Sequence, residues 1–107
     1  MRPLSLRQID RWLPLMRQWG VSEVARSQRG FLAAYRRAGG DIGRLSEAWQ
    51  RKRLAFLERH LAQVKQRGEP LWRDGLPTRR HLALVAWAYS PTPARLASAV
   101  APWRVDG

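Results

Sequence analysis

The segment between Ser46 and Gly68 constrains the fold of this chain more than any other. Ser46 is a favourable N-cap, Glu47 places an acid in the first turn, and Gly68 is a favourable helix end. Between them, apolar side chains recur at helical spacing, at Trp49, Phe56, Leu57, Leu61 and Val64. This pattern predicts one long amphipathic helix that packs one face against a core.

Helical spacing also dominates the rest of the chain, where β-branched residues are scarce. A first helix is predicted over residues 5–19, and Pro14 on its polar side either kinks it or restarts it. A second helix is predicted over residues 22–40, with Ser22 as its cap. Gly30 in its middle leaves two shorter helices open as an alternative.

A turn-rich loop with Asp74-Gly75 at its tip follows the long helix. Thr78 caps a predicted fourth helix over residues 79–89, which is apolar on nearly every side and therefore expected at the centre of the fold. Thr92-Pro93 begins a short fifth helix. The sequence thus predicts an all-α fold, a compact single-domain bundle of about five helices over residues 1–107 with no convincing strand.

The composition excludes several classes of chemistry. The chain has no Cys, so disulfides, thiolate catalysis and sulfur-ligated zinc sites are excluded. Its two His residues, His60 and His81, form no His-x-x-x-His pair, and no nucleophile elbow or glycine-rich phosphate loop is present. A metal site built from both His residues and one carboxylate fits the spacing but has little support. We therefore expect no enzymatic activity, no cofactor and no metal.

Neither a leader segment nor a membrane span is expected. The first residues lack an uninterrupted apolar stretch, and the longest apolar run, over residues 82–89, is too short to cross a bilayer. We expect a cytoplasmic protein, with a nucleoid-associated location also open, and no membrane partner.

The charge balance indicates a polyanionic partner. The formal net charge is +12, and 18 of the 20 cationic residues are Arg. Arg grips phosphate in a bidentate way and stacks on bases, whereas Lys acts as a point charge. The codon preferences of a GC-rich genome explain an excess of Arg over Lys equally well. They do not explain the net charge. Because so many positive charges repel one another in a compact chain, either a partner neutralises them or the fold tolerates the repulsion.

Two predicted helix faces concentrate this charge. On the second helix, four arginines fall within an arc of about 100° that holds no acid in its centre, namely Arg26, Arg29, Arg36 and Arg37. On the outer face of the long helix, the basic surface is extended by Arg51, Lys52 and Arg59. An ordinary solvated face is the alternative, but such faces usually intersperse both signs.

Residues 21–37 also have a weak likeness to a helix-turn-helix unit. Residues 21–26 and 31–37 correspond to its two helices, and the second would be the recognition helix. The glycine in the turn lies one position late for the usual spacing, and few side chains suited to reading bases follow it.

The start of the predicted fourth helix places Arg79, Arg80 and His81 where acids are usually favoured. Free backbone N–H groups and two guanidinium groups together suit an anion, and phosphate is the simplest one. The alternative occupant is a carboxylate of the preceding loop, from Glu69 or Asp74.

Arg53 and His60 fall inside or at the edge of the apolar stripe of the long helix. A buried Arg needs a partner, and a carboxylate such as Asp10 or Asp41 is one candidate. In that interpretation His60 bonds to a backbone carbonyl. The other interpretation is that both side chains line a groove that an anionic ligand completes.

Two tryptophans that neighbour arginines, Trp72 in the loop and Trp103 near the end, are candidates for base stacking or a protein interface. Each could equally pin its loop or tail onto the core.

These patterns favour a protein that binds nucleic acid, either DNA or RNA, by gripping phosphates with little readout of bases. The alternative is a protein-interaction module, such as an inhibitor or an assembly subunit encoded by a phage or mobile element. It would dock on an acidic protein surface through Arg and Trp hot spots. A third option is an assembly protein that binds nucleic acid only within a larger complex.

Overall fold

Short α-helices and one long one make up most of the fold. The computed structural model describes residues 2–100. In chain order its helices are α1 (Leu6–Asp10), α2 (Leu13–Trp19), α3 (Glu23–Arg26), α4 (Phe31–Arg37), a 3-10 helix (Ile42–Arg44), α5 (Glu47–Arg67), α6 (Arg79–Val85) and α7 (Pro93–Ser98). The prediction of a compact, mostly helical fold is confirmed, with a Cα radius of gyration of 13.5 Å.

The predicted absence of strands is wrong in one place. Two-residue strands β1 (Trp72–Arg73) and β2 (Leu76–Pro77) pair antiparallel, with Trp72 opposite Pro77. The turn between them consists of Asp74 and Gly75, whose φ angles are 53° and 77°. An Asp-Gly pair with positive φ at both positions forms the tight turn that brings its flanking residues into register.

The predicted first helix is two helices, because the chain restarts at Pro14. Pro14 lies in the first turn of α2, where its missing N–H leaves no helical hydrogen bond unmade. Trp12 is the N-cap residue of α2 and is fully packed in the core. Gly20 ends α2 in the left-handed conformation, as expected for a helix stop.

The predicted second helix is also divided, into α3 and α4, and Gly30 lies directly before α4. A Cβ atom at Gly30 would lie 2.1 Å from the carbonyl oxygen of Val24 and 2.5 Å from that of Ala25. Only glycine therefore allows the backbones of α3 and α4 to approach this closely. Ser22 makes no side-chain cap on α3, so the capping predicted for it is wrong.

Helix α5 begins and ends where the sequence predicted. The Ser46 hydroxyl accepts from the backbone N–H of Trp49, and Gly68 ends the helix in the left-handed conformation. Only Arg53 and Leu57 are fully buried along its length. Most of α5 therefore lies at the protein surface.

Helix α6 lies at the centre of the fold, as its sequence predicted, and packs against α2, α5 and β2. It ends at Val85 rather than near residue 89, because the chain turns through Ala88 at a φ of 62°. Side chains of α1, α2, α4, α6 and α7 form the core, including Ile9, Leu15, Met16, Phe31, Leu32, Tyr35, Leu82, Val85 and Leu96.

A column of aromatic rings runs from this core to the surface of α5. Consecutive ring centroids lie 5.5, 4.9, 4.6 and 3.9 Å apart, and each pair is nearly parallel. In order, the rings are Tyr35, Phe31, Trp87, Phe56 and His60. The column thus connects three parts of the fold, namely α4, α5 and the turn that follows α6. Aromatic rings favour such offset-stacked contacts.

No helix within residues 2–100 has both the length and the apolar character needed to cross a membrane.

Candidate functional site

A cleft between α2 and the α3–α4 pair gathers arginines from three separate segments. We call it the α2–α4 cleft; its volume is about 260 Å³. It is lined by Leu13, Arg17, Arg26, Ser27, Gln28, Leu32, Ala33 and Arg36. Leucine and alanine side chains supply its apolar part, arginines supply its charge, and none of the lining residues is acidic.

The three arginines of the α2–α4 cleft are held in different ways. Arg26 is half-buried, and its Nε donates to the carbonyl oxygen of Val21 at 2.8 Å. Arg36 donates from both terminal nitrogens to the two carboxylate oxygens of Asp10, with Nη1–Oδ2 at 3.1 Å. The Arg17 side chain is exposed and makes no hydrogen bond or ion pair to any residue between 2 and 100.

The hydrogen bond with Asp10 raises the pKa of Arg36 above its ordinary value, at which a guanidinium is already charged. Neither Arg17 nor Arg26 has a carboxylate partner within the described part of the chain. The α2–α4 cleft therefore carries uncompensated positive charge.

No protein-family model, curated protein or solved structure matches this chain.

Two further arginines of the predicted basic face flank the α2–α4 cleft in sequence. Arg29 lies in the turn between α3 and α4, and Arg37 is the last residue of α4. Both are exposed, and the side chain of neither forms an ion pair or hydrogen bond within residues 2–100. The prediction that these arginines share one helix face with Arg26 and Arg36 is wrong, because the chain leaves helical geometry at residues 27–30. Of the four, the structure brings Arg26 and Arg36 together in the lining of the cleft, whereas Arg29 and Arg37 adjoin it only in sequence.

The likeness to a helix-turn-helix unit does not extend to its mode of reading DNA. A recognition helix presents its first residues to bases in the major groove. In α4 those residues, Phe31 and Leu32, are buried in the core. Only Arg36 and Arg37, at the other end of α4, are exposed.

The outer face of α5 exposes all three residues predicted for it, but it is not uniformly basic. Arg51 forms an i,i+4 ion pair with Glu47 at 3.7 Å. The Lys52 ammonium lies 5.0 Å from the ring centre of Trp49. Arg59 has no partner within residues 2–100, yet it follows the exposed Glu58. This face thus intersperses both signs, as ordinary solvated surfaces do.

A carboxylate of the preceding loop lies at the start of α6. This is the alternative to phosphate that the sequence left open. Arg80 donates from Nε and Nη2 to the Glu69 oxygens at 2.8 and 3.1 Å. The Thr78 hydroxyl caps the helix by accepting from the backbone N–H of His81. The prediction of a phosphate site gripped by Arg80 is therefore corrected. Arg79 remains exposed and donates to the carbonyl oxygen of Trp19.

His81 is completely buried, so the prediction that it faces a ligand at the surface is wrong. Its Nδ1 lies 2.9 Å from the carbonyl oxygen of Leu71, and its Nε2 lies 2.7 Å from the Ser90 hydroxyl. Because a carbonyl only accepts, Nδ1 carries the proton and Nε2 accepts from Ser90. Burial lowers the pKa of His81, which favours this neutral form.

Arg53 and His60 make internal contacts, but not those that the sequence suggested. Arg53 donates from Nε to the carbonyl of Trp87 at 2.8 Å and from Nη2 to that of Ala88 at 2.9 Å. These carbonyls lie just past the end of α6, where a cation is favoured. His60 stacks on Phe56, and its Nδ1 lies 2.5 Å from Nη1 of Arg80. Among residues 2–100, no backbone carbonyl is its partner.

Trp72 pins the hairpin to the start of α7 rather than projecting from the surface. Its Nε1 donates to the Thr92 hydroxyl at 3.1 Å, and the Arg95 guanidinium lies 4.2 Å from its ring centre. The ring also meets the buried His81 edge to face. Trp103, the other candidate for stacking, lies outside the described residues.

Within residues 2–100, no three His, Asp or Glu side chains are grouped so that they could hold a metal ion. Sequence reasoning missed Arg17, the least constrained arginine of the α2–α4 cleft. Its position on the polar side of the first predicted helix was the available signal. That signal could not reveal that α2 would pack beside α3 and α4.

Proposed function

We propose that the protein binds nucleic acid, DNA or RNA, by contacting phosphates with the arginines in and around the α2–α4 cleft. The observation that carries this proposal is the group of arginines there that have no carboxylate partner within residues 2–100, namely Arg17, Arg26, Arg29 and Arg37. Guanidinium groups in this state repel one another, and a polyanion relieves that repulsion.

The distribution of acids supports this choice of surface. The start of α6 and the outer face of α5 both place carboxylates beside their cations. In the α2–α4 cleft, Asp10 binds Arg36 from outside the lining and leaves the other arginines uncompensated. Of these three surfaces, the cleft and its flanks are the one on which a phosphate meets the least competition from internal acids.

Recognition through phosphates implies little preference among base sequences. Asn is absent from the chain, and the first residues of α4 are buried. Phosphate contacts fix a protein on nucleic acid without reading its sequence, whereas base-edge contacts are needed for specificity.

Fluorescence anisotropy with labelled duplex DNA, single-stranded DNA and RNA, each at two salt concentrations, tests the proposal. The logarithm of the binding constant should fall with the logarithm of salt, with a slope of about 0.9 per phosphate contacted on duplex DNA. Weak binding that is equal for all three ligands and insensitive to salt would overturn the proposal.

Matched triple variants locate the surface. One replaces with Gln three exposed and unpartnered residues of the site, Arg17, Arg29 and Arg37. The control replaces with Gln three other residues whose side chains are also exposed and unpartnered within residues 2–100, Arg2, Lys65 and Arg73. Both lose the same charge, but the first should bind more weakly and show a smaller salt slope. Equal loss in the two variants would contradict this choice of surface.

Docking on an acidic protein surface has less support. Hot spots of protein interfaces are often exposed Trp side chains. Every Trp within residues 2–100 is buried or half-buried, and Trp72 is bonded within the fold. Failure of nucleic-acid binding followed by salt-resistant capture of an acidic protein would favour this alternative.

A further inference from the structure

We infer that the α2–α4 cleft binds one unpaired nucleotide, so that the protein prefers single-stranded nucleic acid to a duplex. This inference rests on the proposed function and extends it by naming the form of the ligand. It follows from the size of the cleft, its mixed lining and the different environments of its three arginines.

The dimensions of the α2–α4 cleft favour a single nucleotide. Its volume of about 260 Å³ lies just below the range of roughly 300–1,000 Å³ typical of small-molecule clefts. A base inside a duplex is stacked and paired, so it cannot enter a concave site without being extruded. An unpaired nucleotide can enter at no such cost.

The apolar part of the α2–α4 cleft suits the face of a base. Leu32 is buried, while Leu13 and Ala33 are half-buried and belong to facing helices. Bases are commonly bound through their planar faces, against apolar side chains or guanidinium groups, in a way that tolerates any sequence. A surface for phosphates alone would need no such lining.

Polar groups at the α3–α4 turn suit the edge of a base or its sugar. The Gln28 amide is exposed and forms no hydrogen bond within residues 2–100. The Ser27 hydroxyl donates to the carbonyl of Val24 at 2.8 Å, so its oxygen remains able to accept. These groups supply hydrogen bonds that an unpaired base lacks once it leaves its partner strand.

The phosphate of the same nucleotide would be held by Arg17 and Arg26. Arg26 uses Nε to bond Val21, and no hydrogen bond within residues 2–100 engages its two terminal nitrogens. Arg36 differs because Asp10 engages both of its terminal nitrogens. Arg36 therefore lines one side of the cleft without binding the phosphate, while Arg17 and Arg26 provide the charge-assisted hydrogen bonds to it.

Three other clefts in the described part of the chain lack this combination. The cleft at the start of α6 includes Glu69, and the one beside the hairpin includes Asp74, so each places an acid among its cations. A larger cleft of about 620 Å³ beside Tyr35 and Tyr89 has Arg2 as its one cationic lining residue. The α2–α4 cleft alone among these four joins several arginines to an apolar lining without an acid.

A comparison of matched strands tests the inference. The probes are labelled oligo(dT) of about twelve nucleotides, the same strand paired with oligo(dA), oligo(rU) of equal length, and the mononucleotide dTMP as a competitor. The parent protein should bind the single strands more tightly than the duplex at equal salt. It should bind dTMP far more weakly than the strand, since the flanking Arg29 and Arg37 contact further phosphates.

Two cleft variants and two controls locate the effect. Arg17→Glu should weaken binding to oligo(dT) about tenfold beyond the matched control Lys65→Glu, because it removes a charge-assisted hydrogen bond. Ala33→Phe, which fills the cleft without changing charge, should weaken the single strand and spare the duplex relative to the control Ala62→Phe. Arg17 and Lys65 are exposed and unpartnered, so neither charge variant removes a described contact. Circular dichroism and melting curves establish that each variant is folded.

The possible failures are distinguishable. Salt-sensitive binding that is equal for strand and duplex, with Arg17→Glu and Ala33→Phe indistinguishable from their controls, would overturn the inference and leave nucleic-acid binding intact. Binding of dTMP as tight as that of oligo(dT) would replace the strand with a free nucleotide as the ligand. Absence of salt-sensitive binding to every probe would overturn both the inference and the proposed function.

Discussion

The guanidinium of Arg80 binds both carboxylate oxygens of Glu69, with Nε–Oε2 at 2.8 Å and Nη2–Oε1 at 3.1 Å. Its remaining nitrogen, Nη1, lies 2.5 Å from Nδ1 of His60, and Arg67 adds a longer ion pair to Glu69 at 3.5 Å. The Arg80 side chain is only 17% exposed. This group ties the end of α5 to the start of α6, so positive charge at that helix start has a structural role.

Arg79→Ala and Arg80→Ala should therefore differ in stability although they remove neighbouring charges. Loss of Arg80 removes the two short hydrogen bonds to the Glu69 carboxylate and the contact with His60, and we expect the melting temperature to fall by roughly 5–10 °C. Loss of the exposed Arg79 should change it by roughly 2 °C or less. Melting curves followed by circular dichroism measure both, and equal shifts would contradict the structural role of Arg80.

Stability should fall as the pH decreases from about 7 to about 5, because burial lowers the pKa of both His81 and His60. Folding favours the neutral rings, so this contribution is complete above the unfolded pKa. It is lost below that value, where the unfolded chain takes up protons first. Nearby cations act in the same direction, Arg95 on His81 and Arg80 on His60.

Urea unfolding at a series of pH values measures this effect, whose slope is limited to about 1.4 kcal/mol per pH unit for each His. His60→Gln should retain part of the dependence, because His81 remains buried. Arg80 lowers the pKa of Glu69, whose contribution is present above about pH 4.5 and lost at more acidic pH. If the free energy of unfolding instead increased as the pH was lowered from 7 to 5, the histidines would not be held neutral in the folded protein.

Gly30→Ala should destabilise the fold by about 3 kcal/mol, at the upper end of overpacking effects. The added Cβ would meet backbone oxygens of α3 at 2.1 and 2.5 Å, and backbone cannot move aside as a side chain can. Gly43→Ala is the matched control, since its Cβ would lie 3.3 Å from the exposed Asp41 side chain. Chemical denaturation should show a change of about 0.5 kcal/mol or less for the control. A Gly30→Ala protein as stable as the parent would rule out the close approach of α3 and α4.

Phe31→Ala should cost about 4 kcal/mol, because the ring is fully buried and stacks on both Tyr35 and Trp87. It should also weaken the near-ultraviolet circular dichroism that the aromatic column produces. Leu54→Ala, at a side chain that is 42% exposed, should cost about 1 kcal/mol or less. Similar losses for the two variants, measured by urea unfolding, would contradict the placement of Phe31 in the core.

Local patterns predicted most of the helices. Ser46 and Thr78 cap the helices that follow them, Gly20 and Gly68 end theirs, and apolar spacing identified α6 as central. Pro14 and Gly30 were recognised as points where a helix could break, and both breaks occur. Each of these features depends on residues within about four positions of one another, which is the reach of a helical hydrogen bond.

The pairing of charges required the tertiary structure. Arg36 meets Asp10 from a different helix, and Arg53 meets the carbonyls at the end of α6 rather than a carboxylate. With 20 cationic residues and 8 acids, many pairings are compatible with the sequence. Only the packing of helix faces selects among them.

The sequence by itself determined the helical class of the described chain, its excess of positive charge and the residues at which helices begin and end. The tertiary structure decided which cations are engaged internally, as Arg80 is, and which remain uncompensated, as Arg17 does. The physical reason is one of range. Helix periodicity and capping act between near neighbours along the chain, whereas burial and ion pairing depend on which distant segments meet in space.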